Sequence, residues 1–221
     1  MDWSYWSALL PDLWQATQDT AQMVVISTIF TIIGGLLLGI LLVITDRDGL
    51  VEVRWLHAIL GFIVNVGRSL PFIILLVAIT PFTRLLVGTT IGTTAAIVPL
   101  TIAAIPFFAR LAESSLREVD NGVVEAARAM GCNGWQIIVK VLVPEALPSL
   151  ILGVAVTIIS LIGYSAIAGA VGAGGLGDLA IQYGYERFDT GVMVVTVVLL
   201  VVIVQIIQFA GSWGAAKIAR H

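Results

Sequence analysis

Charged side chains and cysteine are scarce in this sequence. Only 11% of its 221 residues are Asp, Glu, Lys or Arg, whereas 59% are hydrophobic; a soluble domain carries about 25% charged residues. The single cysteine, Cys132, excludes an intrachain disulfide and cannot build a zinc site alone. The Lys and Arg residues are scattered, which argues against a nucleic-acid partner. A chain this short and this apolar is typical of a membrane protein with several spans.

Catalytic groups are also missing from the apolar segments. Every Asp and Glu lies in a loop or near a segment end, and the histidines, His57 and His221, lie at segment edges. Hydrolysis within a membrane needs a serine–histidine pair or two carboxylates inside the spans. The sequence also has no P-loop for ATP. We therefore predict no catalytic residues, no metal site and no bound cofactor, so that energy for any active process must come from a partner.

Five apolar segments are long enough to cross a bilayer core, which takes roughly 20 helical residues. We predict an all-α membrane protein, a single domain over residues 1–221, with these five transmembrane helices: 23–45, 58–79, 91–108, 147–168 and 190–210. Pro99 and Pro106 remove hydrogen-bond donors from the third segment, and the carbonyls left unpaired need partners away from lipid. The third segment is therefore expected to lie against other helices or a cavity.

The N-terminal residues 1–19 differ from the spans because aromatic side chains are concentrated there. Trp3, Tyr5, Trp6 and Trp14 fall in this stretch, and aromatic residues favour the headgroup level of a membrane. We predict an interfacial segment on the periplasmic side, before the first span.

Lys and Arg are distributed unequally between the two sides of the predicted membrane. One side receives Arg84 and Arg187, and the other receives eight: Arg47, Arg54, Arg110, Arg117, Arg128, Lys140, Lys217 and Arg220. Short cytoplasmic loops are enriched in these residues. The N-terminus is therefore predicted outside, with the C-terminus and the loop 110–147 in the cytoplasm.

One charge, Arg68, lies inside a predicted span, where an arginine costs on the order of 2.5–3.5 kcal/mol. Asn65 and Ser69 lie one helical turn away and could share its hydrogen bonds. Two interpretations remain open. The side chain forms a structural ion pair or reaches the headgroups, or these three residues line a translocation path.

The end of the fourth span, GYSAIAGAVGAGGLG at 163–177, is rich in glycine and conformationally permissive. One interpretation is a mobile outer gate, with Tyr164, Ser165 and Ile167 facing the path. The other is a tight turn with close helix packing. The sequence does not decide between them.

The loop 110–147 contains an amphipathic segment, EAARAMGCNGWQIIVKVLVPEALP. Asp120 or Asn121 is suited to cap a helix at its N-terminus, and Gly131 is suited to end it. The spacing of Val123, Ala126, Ala127 and Met130 predicts one shallow apolar face. A second helix follows, which Pro144 is predicted to end. The pair could lie on the lipid as an interfacial hairpin, or the first helix could dock on a soluble partner.

The same stretch resembles the EAA motif of permease subunits of ABC importers. Glu125, Ala126, Ala127 and Gly131 occupy its E-A-A-x-x-x-G positions, and Pro144 occupies the hydrophobic–proline element about a dozen residues on. The resemblance implies a type I importer permease fold in which this helix, with Met130, is the coupling helix that docks on an ATPase. It also implies that ATP and Mg²⁺ bind to that partner.

Residues 60–211 resemble, more generally, the permease branch of bacterial methionine importers. This resemblance implies an inner-membrane homodimer with two ATP-binding subunits, a periplasmic substrate-binding lipoprotein and methionine, in its L and D forms, as substrate. Three alternatives are open: an importer of another amino acid or a small peptide, an ATP-independent channel or secondary carrier, and a structural scaffold. A carrier usually has acidic residues within its spans for ion coupling, and here none is predicted.

Overall fold

The structure is a computed structural model that describes residues 3–47 and 49–219, with side chains from Tyr5 onward. The described residues form helices joined by short turns and contain no strand, which confirms the predicted all-α class. Asp48, Arg220 and His221 lie outside the described residues, as does the side chain of Trp3. Two compact units are formed: Met1–Ile29, Leu70–Ala103 and Ile158–Ile207 make the first, and Phe30–Ser69, Ala104–Thr157 and Gln208–His221 the second.

The first helix, α1 (Trp3–Ile44), joins the N-terminal segment and the first predicted span into one element of 42 residues. The predicted first span, 23–45, is therefore part of a longer helix that begins within the N-terminal segment, and the interfacial position of residues 1–19 stays a prediction. Tertiary packing explains the longer helix: Leu9, Leu13 and Ala16 are buried in one cluster with Leu176, Leu179 and Val192, all within the first unit. Trp14 is exposed.

The second predicted span is broken rather than continuous. Helix α2 (Arg54–Ser69) is followed by α3 (Phe72–Ala78) after a sharp bend. Pro71 has no N–H to continue the helix and disfavours helical geometry at Leu70. Hydropathy alone runs through this break, which explains why the sequence reading placed a single helix at 58–79.

The third predicted span is longer than expected. After α4 (Thr80–Val87), helix α5 (Thr93–Arg117) continues nine residues past Phe108. The part of α5 that belongs to the second unit, residues 104–117, is deeply buried. Phe108, Ala109 and Ala112 are almost fully covered there. A β-carbon on Gly39 of α1 would lie 2.7 Å from that of Ala112, so this glycine allows the two helices to approach closely. The expectation that the proline-containing span lies against other helices is confirmed.

Short helical elements occupy the stretch before the fourth span. They are α6 (Asn121–Ala129), α7 (Gly134–Ile137), a π-helical segment (Ile138–Leu142) and α8 (Val143–Glu145). The fourth span is α9 (Leu147–Gly169), after which come α10 (Gly175–Leu179), a second π-helical segment (Ala180–Glu186) and α11 (Thr190–Ile218). Among the described residues four helices can cross a membrane by length and composition, and the bent pair α2–α3 raises the number to five.

The glycine-rich stretch after α9 forms a tight turn in the first unit. Gly172, Gly174 and Gly175 all have positive φ angles. A β-carbon on Gly177 would lie only 2.4 Å from the backbone of Ala166, and one on Gly169 only 2.4 Å from the amide nitrogen of Asp178. The backbones of α9 and α10 are therefore in direct contact. This is the geometry expected for the tight-turn interpretation, whereas a gating role remains a prediction.

Candidate functional site

Helix α6 is held at both ends by local hydrogen bonds. At its start, the Asp120 carboxylate accepts a hydrogen bond of 2.7 Å from the Gly122 amide. At its end, Gly131 has a φ angle of +82° and donates to the Arg128 carbonyl, while Cys132 donates to the Ala127 carbonyl at 3.1 Å. These are the paired bonds of a Schellman motif. The predicted N-cap and the predicted glycine stop are both confirmed.

Gly131 is the position where this helix end is most sensitive to substitution. A left-handed conformation is strained for a β-branched residue and costs about 2 kcal/mol. We therefore expect Gly131→Val to lower the midpoint of thermal unfolding in detergent by about 4–8 °C. Gly134→Ala is the matched control because Gly134 has no positive φ and open space around it. Equal midpoints for the two variants would contradict the strain argument.

The residues of the predicted apolar face of α6 differ in their exposure. Ala127 is only 2% exposed and lies in a core cluster with Leu116, Ile137 and Leu142. Its side chain therefore anchors α6 within the second unit and is not accessible to a separate subunit in this conformation.

The other members of that face remain accessible. Val123, Ala126 and Met130 are exposed, Met130 to 78%, and so is Glu125. Gly122 and Ala129, one turn away from Ala126 on either side, are also exposed and were not recognised from the sequence. Together Gly122, Ala126 and Ala129 form a small-residue stripe, called here the docking face, over which another backbone can approach closely.

The second helix of the segment begins with a capping box. Asn133 and Gln136 exchange hydrogen bonds of 2.9 Å between their side chains and backbone amides. The prediction that Pro144 ends this helix is wrong, because the helical path continues through it into α8. The π-helical segment accounts for this: the Val143 amide bonds to the Ile138 carbonyl, five residues back, and Pro144, which has no N–H to place, follows in the first turn of α8.

A network of charges centred on Glu113 was not predicted from the sequence. The Glu113 side chain is only 5% exposed and accepts hydrogen bonds from Arg110 at 2.5 Å and Arg117 at 2.9 Å. Arg110 also donates to the side-chain oxygen of Asn65 at 2.6 Å, and Arg117 pairs with Asp46 at 2.7 Å. The R-x-x-E-x-x-x-R spacing places both arginines next to Glu113 on one helix. That spacing was available in the sequence, but the burial of Glu113 was not.

Asp46 lies at the outer end of this network, in the connection between α1 and α2. The Arg47 backbone amide, which donates to it at 2.8 Å, and the Arg117 guanidinium hold the pKa of the Asp46 carboxyl below its usual value. His57 lies 3.9 Å from the same carboxylate, and its other ring nitrogen contacts the Leu42 carbonyl oxygen at 3.0 Å. The carboxylate is therefore held charged at neutral pH between several donors.

The predicted path residues of α2 lie together at the end of that helix. Asn65, Arg68 and Ser69 are all exposed, and the Ser69 hydroxyl donates to the Asn65 carbonyl at 2.8 Å. Arg68 makes no hydrogen bond or ion pair with any of the residues that the structure describes. An internal ion pair for Arg68 is therefore not seen in that part of the chain.

The predicted path residues of α9 belong to the first unit. The Tyr164 ring stacks on Phe72 with a centroid distance of 4.7 Å. Ser165 is 2% exposed and donates to the Ile162 carbonyl at 2.8 Å, so its hydroxyl is already paired. Ile167 is exposed. Over residues 3–47 and 49–219, no three side chains of the metal-binding types cluster.

Several known proteins resemble this chain over nearly their full length. The probable D-methionine transport system permease protein MetI of Vibrio cholerae serotype O1 is 56% identical over 207 residues, which are 93% of this chain and 92% of that protein. The methionine import system permease protein MetP of Bacillus subtilis is 46% identical over 202 residues, 91% of each chain.

Solved structures share the fold. A chain of the MetNI methionine ABC transporter, crystallised in inward facing conformations, matches with a TM-score of 0.92, 46% identity and 99% coverage of both chains. A chain from the crystal structure of an amino acid ABC transporter with histidines matches with a TM-score of 0.80 at 17% identity, covering 98% of this chain and 99% of its own. That second likeness supports the fold alone. The predicted ABC importer permease fold is confirmed.

The family model described as "Binding-protein-dependent transport system inner membrane component" matches residues 35–219. This range includes the capped helix α6, the charge network around Glu113 and every predicted path residue. The chain belongs to the binding-protein-dependent transport system inner membrane component family.

Proposed function

We propose that this chain is the permease subunit of an ATP-driven importer that moves methionine, L and D, across the bacterial inner membrane. The observation that carries the coupling part is helix α6, which is fixed at both ends, anchored through Ala127 and exposed along the docking face. A helix presented in this way can receive a force from a partner and pass it to the core. The substrate is inferred from the names of the similar permeases.

The proposed assembly contains this chain twice, together with two ATP-binding subunits and a periplasmic substrate-binding lipoprotein in the surrounding lipid. ATP and Mg²⁺ bind to the ATPase subunits, because this sequence has no P-loop of its own. The docking face contacts the ATPase, and closure of the two ATPase subunits drives alternating access. The excess of Lys and Arg on one side supports an external N-terminus and a cytoplasmic C-terminus.

The end of α2 is the part of the second unit best suited to a translocation path. Arg68 is exposed near the end of a membrane-embedded helix, and a charge facing hydrocarbon is unfavourable. Asn65 and Ser69 lie on the same face of α2. This polar face therefore fits a water-filled path shared with the second copy better than it fits lipid. In the first unit, Tyr164, Ser165 and Ile167 of α9 remain proposed path residues, and exposure of the Ser165 hydroxyl requires a conformation other than the present one.

The decisive experiment measures labelled methionine uptake in cells that lack their own methionine importer. The chain is expressed with its ATPase and binding protein, and unlabelled amino acids compete for uptake. We expect uptake that requires the ATPase and yields only to L-methionine, D-methionine and close analogues. If unrelated amino acids or small peptides compete instead, the chain would still be assigned to an ATP-driven importer, but one with a different substrate. Uptake that is independent of the ATPase would reject the coupling mechanism.

A further inference from the structure

Glu113 is a buried carboxylate, and both of its oxygens accept hydrogen bonds from arginine side chains. Oε2 accepts from Arg110 at 2.5 Å, and Oε1 accepts from the Nε and Nη2 atoms of Arg117 at 3.1 and 2.9 Å. Burial of a carboxylate is unfavourable unless such partners compensate it. A buried ion pair of this kind does not necessarily add stability compared with apolar residues, so its presence calls for another explanation.

Each arginine of the network reaches a second structural element. Arg110 Nη2 donates to Asn65 of α2, and Arg117 Nη1 pairs with Asp46 in the connection between α1 and α2. Glu113 therefore joins α5 to two other elements through two separate bridges. Both bridges end on partly or fully exposed groups, where they can break and re-form without burying an unpaired charge.

The network is also close along the chain to helix α6. Arg117 is the last residue of α5, and Asp120, the N-cap of α6, follows three residues later. On α5 itself, Ala112 and Leu116 share a core cluster with Ala127 of α6. A displacement of α6 must therefore act directly on the end of α5 that carries Glu113.

We propose that Glu113 is a positioning residue for transport: through Arg110 and Arg117 it couples the movement of α6 to α2 and to the α1–α2 connection. This inference rests on the proposed function. In this proposal α2 moves when the ATPase acts, and α2 is the helix that carries Asn65, Arg68 and Ser69. Neutralising Glu113 leaves two arginines that no longer share a counter-charge, so α6 and α2 lose their common restraint.

The test compares Glu113→Gln with wild type in proteoliposomes that contain the whole transporter and its binding protein. Methionine uptake and ATP hydrolysis are measured on the same preparation. We expect uptake to fall about tenfold, a typical size for a coupling effect, while hydrolysis stays within about twofold of wild type, so that more ATP is used per methionine. Glu52→Gln is the matched control, because Glu52 pairs with Arg54 at 2.8 Å on the exposed surface of the same connection, and it should leave both rates unchanged.

Asp46→Asn provides a second variant that removes an outer bridge without altering the buried carboxylate. If Glu113→Gln does not assemble, the ratio of ATP hydrolysed to methionine transported is measured on Asp46→Asn instead, and that ratio tests the proposal. An unchanged ratio of ATP to methionine, or a parallel loss of uptake and hydrolysis in an intact complex, would overturn the positioning role. These outcomes compare the variants with wild type and therefore test only the positioning role. Failure of the proposed function is distinguishable, because the wild-type proteoliposomes would then show no ATP-dependent methionine uptake.

Discussion

Ala126→Glu is expected to reduce ATP-dependent methionine uptake by about 100-fold or more while the permease still inserts and assembles. Ala126 lies at the centre of the docking face and is exposed in the isolated chain, so glutamate there is solvated and does not disturb the fold. In the complex the same carboxylate would be covered by the ATPase without a partner. An uncompensated buried charge costs about 3 kcal/mol or more, which corresponds to about 100-fold in affinity.

Two readouts separate loss of docking from loss of folding. Recovery of the ATPase with tagged permease should fall in step with uptake, whereas the unfolding midpoint of the permease itself should not change. Ala219→Glu, on an exposed alanine after the end of α11, controls for the added charge and should behave as wild type. Ala127→Glu should instead unfold the subunit, because that side chain is buried. Normal uptake and normal ATPase recovery in Ala126→Glu would exclude the docking face.

The ends of α6 could be predicted because the residues that fix them are local. Asp120 caps through an amide two residues away, and the bonds around Gly131 span no more than five residues. Such motifs are properties of a short stretch and do not depend on the rest of the chain. The orientation of the exposed face of α6, in contrast, could not be predicted from local residues. It depends on which residues share a core cluster with Ala127, and these extend from Ala112 before it to Leu150, 23 residues after it.

The errors in the spans have the same origin. The Leu70–Pro71 pair that breaks α2 from α3 is visible in the sequence, but a hydropathy average over roughly 20 residues passes through it. The continuity of α1 could not be deduced locally, since Leu9 and Leu13 are buried by Leu176 and Val192, far away along the chain. Glu113 was assigned to a loop because the apolar run ends at Phe108, whereas α5 continues to Arg117 and Glu113 is covered there between Arg110 and Arg117.

Gly177→Ala is the second substitution with a large expected effect, here on stability. A β-carbon at this position would lie 2.4 Å from both the α-carbon and the carbonyl oxygen of Ala166, and these are backbone atoms that cannot rotate away. Overpacking against side chains already costs about 1–3 kcal/mol, and contact with backbone should reach at least the upper end of that range. With about 2–4 °C lost per kcal/mol in a chain of this size, the unfolding midpoint in detergent should fall by about 10 °C.

The matched control for this substitution is Gly163→Ala in the same helical hairpin. Gly163 lies in α9 with open space where its β-carbon would be, so alanine there should be neutral or slightly stabilising, given its higher helix propensity. Gly169→Ala, whose β-carbon would lie 2.4 Å from the Asp178 amide nitrogen, tests the same contact from the other side and should resemble Gly177→Ala. If Gly177→Ala and Gly163→Ala unfold at the same temperature, α9 and α10 are not held in backbone contact, and a mobile segment becomes the better description of residues 163–177. A fall confined to Gly169→Ala and Gly177→Ala would mean that any opening at this end has to move α9 and α10 together.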